Sequence, residues 1–340
     1  MKEALFGKTL NELITVTKDA GLPGFTAHQI ADWMYKKGVR EIEGMTNLSK
    51  KARGYLGERF ETGLTSHIAV ETSEDGTKKY LFPAGDKGTV EAAWIPESDR
   101  STLCISTQVG CRMGCRFCMT GMQGFQGNLS VTEILNQVES LPEKDLLTNI
   151  VYMGMGEPLD NTESVLTSIE ILTAEWGYAM SPRRITLSTI GLKDSVRRFL
   201  DKSQAHLAIS LHSPFAEERH NLMPAETAHP VKEVIDLIRE YDWSGQRRIS
   251  FEYIMFKDIN DRDSDIRGLL KLLNGLHCRV NLIRFHAVPG TPYLSSPGER
   301  ITEFRDRLTA GGIFTTIRAS RGEDIHAACG LLSTRLKSEG

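Results

Sequence analysis

Thr102-Leu103-Cys104-Ile105-Ser106-Thr107 is a short apolar, β-branched run, and Gln108-Val109-Gly110 carries it straight into Cys111-Arg112-Met113-Gly114-Cys115-Arg116-Phe117-Cys118. The run predicts a buried strand. Three cysteines within eight residues of its exit point to metal or redox chemistry, because a chain of 340 residues has core enough not to need a disulfide framework. Buried structural thiols, a zinc site and an iron–sulfur cluster all remain open. Structural zinc wants four ligands, usually as two separated pairs, and no second Cys or His pair stands nearby. Three thiolates at CxxxCxxC spacing instead leave one iron of a four-iron cluster without a protein ligand, open to a chelating substrate. Between Arg100 and Thr132 there are three Arg and no Asp or Glu, an electropositive setting expected to favour thiolates.

Six further β-branched runs follow: Asn149 to Met155, Arg184 to Thr189, His206 to His212, Arg248 to Met255, Val280 to Phe285 and Ile313 to Ile317. Helical patterns lie between them, as in Val131 to Leu141, Thr162 to Ala174, Val231 to Tyr241, Arg267 to Leu276 and Arg300 to Ala310. The alternation predicts an α/β fold of parallel βα units; six or seven units suit a closed or partial barrel better than a short open sheet, though periodicity does not exclude a doubly wound one. The unusual residues fall at the strand exits. The cysteine run follows the first strand, Gly154-Met155-Gly156-Glu157-Pro158 the second, Ser188-Thr189 ends the third, Ser210-Leu211-His212 the fourth, and His286 the sixth. Strand exits of such folds converge on one face, where active sites are built.

Upstream, the first 85 residues show helical spacing broken by glycines and predict a small helical accessory domain, with residues 86–340 forming the βα domain. Lys78 to Phe82 and Thr89 to Ile95 predict a strand pair. Between Lys36 and Arg59, seven Lys and Arg oppose three Glu, in a chain whose net charge is only -3. The whole chain is therefore no basic nucleic-acid coat, and any RNA contact must use a local patch such as this one or leave it a merely solvated face. No apolar core of a signal peptide opens the chain, and no apolar run approaches the ~18 residues of a membrane span, so a cytoplasmic location is expected.

The CxxxCxxC loop after the first strand, followed by Gly-Met-Gly-Glu-Pro after the second, resembles the radical S-adenosylmethionine (radical SAM) superfamily. The resemblance implies a partial barrel, a [4Fe-4S] cluster held by Cys111, Cys115 and Cys118, and SAM chelated by the open iron. Gly156, Glu157, Ser188, Ser210, Leu211 and His212 would line its pocket, the glycines allowing backbone approach to the SAM amino group.

Further stretches, Leu103 to Cys111, Gly124-Phe125 with Asn128-Leu129, Met153 to Leu159, Ile185 to Thr189 with Gly191, and Arg321 to Ile325 through Ala327 to Gly330, are similar over essentially the whole chain to the RlmN/Cfr family of RNA methyltransferases. Trp33 to Lys50 is similar to that family's helical accessory domain. The likeness implies methylation of carbon 2 of adenine, at position 2503 of 23S rRNA and position 37 of tRNA. Carbon 8 of the same rRNA adenine, as in the antibiotic-resistance branch, is the alternative. It implies two SAM per turnover: one methylates Cys329, and a second yields the 5′-deoxyadenosyl radical that abstracts hydrogen from that methyl. The methylene radical adds to adenine, Glu91 takes the ring proton, and Cys104 attacks the Cys329 sulfur to release product as a disulfide forms. An electron donor such as flavodoxin or ferredoxin and a monomeric enzyme are further implications. Where the family often has Asn, this chain has His286, whose imidazole can also hydrogen-bond an adenine or ribose.

Taken singly, Cys104 reads as a buried small hydrophobe, Cys329 as packing, and Glu91 as a strand's solvent-facing residue. Cys278 matches no motif and reads as core. A radical SAM enzyme acting on protein or small molecules would not need Cys104, Cys329 or a basic helical domain, and a zinc-stabilised RNA-binding module would be colourless and inactive.

Overall fold

The structure, a computed structural model, describes residues 2–328 and 330–333. Its N-terminal part holds helices α1 (Leu10–Asp19), α2 (Thr26–Ala31) and α3 (Lys50–Arg59). Helix α1 starts at a capping box in which Thr9 and Glu12 satisfy each other's backbone N–H groups, and Ser49 caps α3 in the simpler way. Leu13, Ile30, Met34, Met45, Leu48, Ala52 and Leu56 form the interior of this unit.

The remainder is built on a ten-stranded sheet: β1 (Ala69–Thr72), β2 (Lys78–Pro83), β3 (Thr89–Pro96), β4 (Ser101–Cys104), β5 (Asn149–Tyr152), β6 (Ile185–Thr189), β7 (His206–Ser210), β8 (Ile249–Met255), β9 (Arg279–Arg284) and β10 (Phe314–Ile317). Spatial order follows chain order from β1 to β10 without exception. Pairings from β1 to β4 are antiparallel, and those from β4 to β10 are parallel. All seven expected βα strands are present, and among the described residues no pairing joins β10 back to β4. The parallel part is thus a partial barrel, extended on one edge by an antiparallel flank that includes the expected pair, β2 and β3.

Helices α4 (Met119–Gln123), α5 (Val131–Glu139), α6 (Thr162–Thr173), α7 (Lys193–Lys202), α8 (Ala216–Leu222), α9 (Val231–Ile238), α10 (Asp263–Leu272) and α11 (Gly298–Ala310) fill the crossovers. The long apolar faces turn inward: Ile134, Leu135 and Val138 of α5, Val196, Phe199 and Leu200 of α7, Val234, Ile235 and Ile238 of α9. The N-terminal unit docks on the α5 side. Thr132 donates to the Phe6 carbonyl at 2.6 Å, Asn136 accepts from Thr65 N at 3.0 Å, and the Tyr35 ring meets Trp176 and Tyr178 edge-on or tilted at 5.8 Å. Gly7, at φ +91°, passes so close to Thr132 that a Cβ would stand 2.7 Å from its hydroxyl. One buried apolar cluster runs through both parts. No described helix is long and apolar enough to cross a membrane.

Candidate active site

The exits of the parallel strands open into one cavity. Cys111, Cys115 and Cys118 line it from the loop after β4, Gly154, Gly156 and Glu157 from the loop after β5, and Ser188, Ser210 and His212 from the next two exits. The loops after β4 and β5 interlock through glycine. At Gly156 (φ +99°) a Cβ would lie 2.5 Å from the Gln108 side chain, so its lack of a side chain already serves protein packing, whatever it does for a ligand.

Burial pushes the Cys111 thiol up to about 12, the nearby Glu157, Cys118 and Asp160 adding to it. Burial raises Cys115 well above an ordinary thiol too, and Cys118 and Cys111 raise it further. At these two thiols burial outweighs the lowering expected from the local arginines. Arg112 turns to Asp160 at 2.9 Å and lies over the Phe125 ring, and the cation acting on Cys115 is Arg219 of α8. Such thiols shed their protons to a metal rather than to water. Among the described residues no three Cys, His, Asp or Glu groups converge tightly enough for a single ion. In a four-iron cluster each thiolate takes its own iron, so its ligands stand farther apart, and three thiols around one cavity fit that donor set.

Glu157, 3% exposed, binds the rim together: its carboxylate accepts from Leu159 N at 3.0 Å and from Ile190 N, beyond β6, at 2.9 Å. Burial pushes it up to about 7 despite these donors. His212 sits at φ +55° with Nδ1 accepting from Ile254 N at 3.0 Å, and burial pulls it down to about 3, so the ring is neutral. Leu211 is fully buried beside it and does not line the cavity. His286 does not line it either: Nε2 meets Ser320 Oγ at 3.1 Å and Nδ1 faces Glu323 at 3.6 Å.

Glu91, on β3, is 6% exposed and faces inward, contrary to the simplest reading of its alternation; its carboxylate meets Lys79 Nζ at 3.2 Å and Ser333 N at 2.9 Å, and burial raises its pKa. Cys104 ends β4 in a small cluster with Ala93, Ile325 and Ala327. Cys329 lies outside the described residues, and with it the expected pairing to Cys104. The residues on either side of that position are described. Ala328 packs among Met113, Phe117 and the three cysteines of the loop after β4, Gly330 O accepts from Met119 N at 2.9 Å, and Leu332 O accepts from Thr120 at 2.7 Å. The segment is tied at its start too, where Asp324 accepts from Ser73 Oγ at 2.5 Å and Asp75 accepts from Gly322 N at 3.0 Å.

Two residues of the site had no motif to announce them. Arg219, fully buried, donates to Leu211 O at 3.0 Å, Ile190 O at 2.7 Å and Ser210 O at 2.8 Å while pairing with Glu226, so one guanidinium ties together the exits of β6 and β7. Glu252 of β8 lines the cavity, accepting from Ser250 and Asn281 at 3.0 and 2.7 Å with Arg318 at 3.1 Å. In the N-terminal unit Lys36 and Lys37 pair with Asp32, whereas Lys50 and Lys51 are exposed.

Residues 105–272 match the Radical SAM superfamily, and residues 4–62 match the ribosomal RNA large subunit methyltransferase N-terminal domain. A "Probable dual-specificity RNA methyltransferase RlmN" of Bacteroides fragilis is 56% identical over 99% of this chain and 98% of its own. The "Dual-specificity RNA methyltransferase RlmN" of Desulfotalea psychrophila is 43% identical over 95% of this chain and 93% of its own. The crystal structure of a radical SAM methyltransferase from Sphaerobacter thermophilus superposes with a TM-score of 0.91 at 39% identity, over 98% of this chain and 100% of that one. The chain belongs to the RlmN family of radical SAM dual-specificity RNA methyltransferases.

Proposed function

We propose that this chain methylates carbon 2 of an adenine in 23S rRNA, at position 2503, and in tRNA, at position 37, with Cys329 as the methyl carrier. One observation supports this reading above the others. The described residues flanking position 329 touch Glu91 through Ser333, Cys104 through Ala327 and the cluster loop through Ala328 and Gly330. When bound, the cluster and SAM supply a methyl group and a hydrogen-abstracting radical, two SAM being used per turnover. Cys111, Cys115 and Cys118 hold the cluster; Ser188, Ser210 and His212 face the SAM site, and Glu157 and Arg219 hold its rim in place. Carbon 2 of adenine is not nucleophilic, which is why a radical route is needed.

Glu91 takes the proton from the ring carbon. Its burial supports this role by making the carboxylate more basic, and Lys79 beside it keeps the ionised form available. Cys104 attacks the Cys329 sulfur, freeing methylated RNA as the disulfide forms. Lys50 and Lys51 of the helical unit meet RNA phosphate, a flavodoxin or ferredoxin supplies electrons, and the enzyme works as a monomer in the cytoplasm. The test is mass spectrometry of adenosine from RNA treated with the reconstituted enzyme. It is expected to give 2-methyladenosine. 8-Methyladenosine would overturn the carbon assignment, and no modified adenosine would overturn the RNA reading. Cys104→Ala is expected to accumulate an enzyme–RNA adduct that a denaturing gel resolves, and Cys329→Ala to form none.

A further inference from the structure

At the opposite end of the barrel from the cysteine loop, the strand entrances gather guanidinium groups. Arg183 and Arg184 occupy the turn Pro182–Arg184 ahead of β6, His206 opens β7, Arg248 precedes β8 and Arg279 opens β9. Register makes them neighbours. Leu207 stands opposite Ile249, which sets His206 beside Arg248, and Arg248 N donates to His206 Nδ1 at 3.0 Å. Arg279 stands opposite Phe314, with its guanidinium 5.1 Å from a ring that is 55% exposed.

Arg247 is otherwise engaged, donating to Leu200 O and Ala205 O at 2.9 and 3.1 Å, and Arg184 reaches Thr148 O at 3.1 Å. Arg183 and Arg248 are exposed, Arg279 is half-buried, and no ion pair engages any of the three among the described residues. Burial together with Arg248, Arg247, Arg279 and Arg183 pulls His206 down to about 4. The ring is thus neutral, with its proton on Nε2, and adds a donor without adding to the repulsion.

Arginines without an ion pair of their own, gathered at one spot in a chain of net charge -3, offer a site for an anion. Guanidinium forks match phosphate oxygens, and an exposed aromatic ring beside them offers a stacking surface for a base. We propose that this end of the barrel is a second RNA surface, at which Arg183, Arg248 and Arg279 hold the phosphate backbone of an rRNA segment remote from the methylated loop. The inference rests on the RNA methyltransferase reading above. The seven residues of β8 put roughly 23 Å between the two ends, so a short stem-loop seated at the cysteine rim does not reach it, whereas an extended rRNA can fold around the barrel.

The test compares two RNAs on the holoenzyme: a short stem-loop carrying the target adenine, and a long 23S rRNA fragment that extends well beyond it. Arg183→Gln, Arg248→Gln and Arg279→Gln are combined in one variant. Its affinity for the long fragment at low salt is expected to fall roughly tenfold or more, and its log–log salt dependence to flatten by about three slope units, one per lost phosphate contact. Binding and methylation of the stem-loop are expected to stay as in the parent, which also shows that the variant folds. Arg-to-Lys replacements at the same three positions keep the charge and should retain most of the salt slope. Unchanged affinity and slope for the long fragment would overturn the proposal, as would an equal loss for both RNAs. A parent enzyme that binds both RNAs but methylates neither would overturn the methyltransferase reading instead, leaving the two slopes to decide the surface.

Discussion

The two ends of the barrel handle charge in opposite ways. At the strand exits Glu157, Arg219, Glu226 and Glu252 are buried, and each has partners in place: Glu157 two backbone N–H groups, Arg219 three carbonyls and Glu226. At the strand entrances Arg183 and Arg248 stand in solvent with no ion pair among the described residues. A buried charge is tolerated only when its partners are built in, so it fixes geometry; an exposed one costs little and acts at a distance. The same residue types are thus a clamp at one end and a field at the other.

The contrast breaks most sharply at the cysteine loop. Cys111→Ala, Cys115→Ala and Cys118→Ala are each expected to lose the cluster and SAM cleavage altogether, because three thiolates are the minimum holding set. Iron analysis after anaerobic reconstitution checks this, and four irons with full turnover in any of the three would remove the cluster from the site. Arg219→Met comes next. It leaves Glu226 buried and unpaired, a loss on the order of 3–5 kcal/mol by chemical denaturation, and Arg219→Met with Glu226→Leu should recover a large part of it. If the double variant is no more stable than the single one, the pair is not the clamp's centre.

Glu157 sharpens the comparison through pH. Its folded carboxyl stands at about 7 against an ordinary 4.5, so the folded chain holds this proton more tightly than the unfolded one. Its contribution to stability is whole below pH 4.5 and is lost as pH rises through 7, by roughly 3 kcal/mol. Denaturation of the cluster-free chain across that window should show the decline, and Glu157→Gln should lack it; a parallel decline in the variant assigns the slope elsewhere. The smallest effect belongs to the other end, where Arg248→Gln alone should move stability by no more than about 0.5 kcal/mol.

What could be read from the sequence divides along similar lines. The seven parallel strands were legible because each is a β-branched run closed by a helical pattern, and the exits were legible because cysteine, glycine, serine and histidine concentrate there. Strand β1 was not, since Ala69–Thr72 alternates half-buried and exposed residues and lies on the sheet's edge. His286 follows β9, as its position in the sequence predicts, but its ring is taken up by Ser320, 34 positions away, and by Glu323, contacts that no local pattern carries. Arg219 and the entrance arginines escaped for the same reason. Each is an unremarkable basic residue in its own stretch, and only the parallel register brings Arg183, Arg248 and Arg279 to one end.

Strict agreement between chain order and sheet order has a consequence for how the molecule is made. Each strand that leaves the ribosome meets its neighbour already present, so the sheet can extend one edge at a time as synthesis proceeds from the N-terminus. The contact that spans most of the described chain is the last to become available: Asp324 reaches back 251 positions to Ser73, and Ser333 reaches back 242 to Glu91. The cysteine loop is therefore synthesised and flanked by its strands before Gly330 and Leu332, which also line the cavity, exist. The wall of the cavity that Gly330 and Leu332 supply is thus the last part of its described lining to be synthesised.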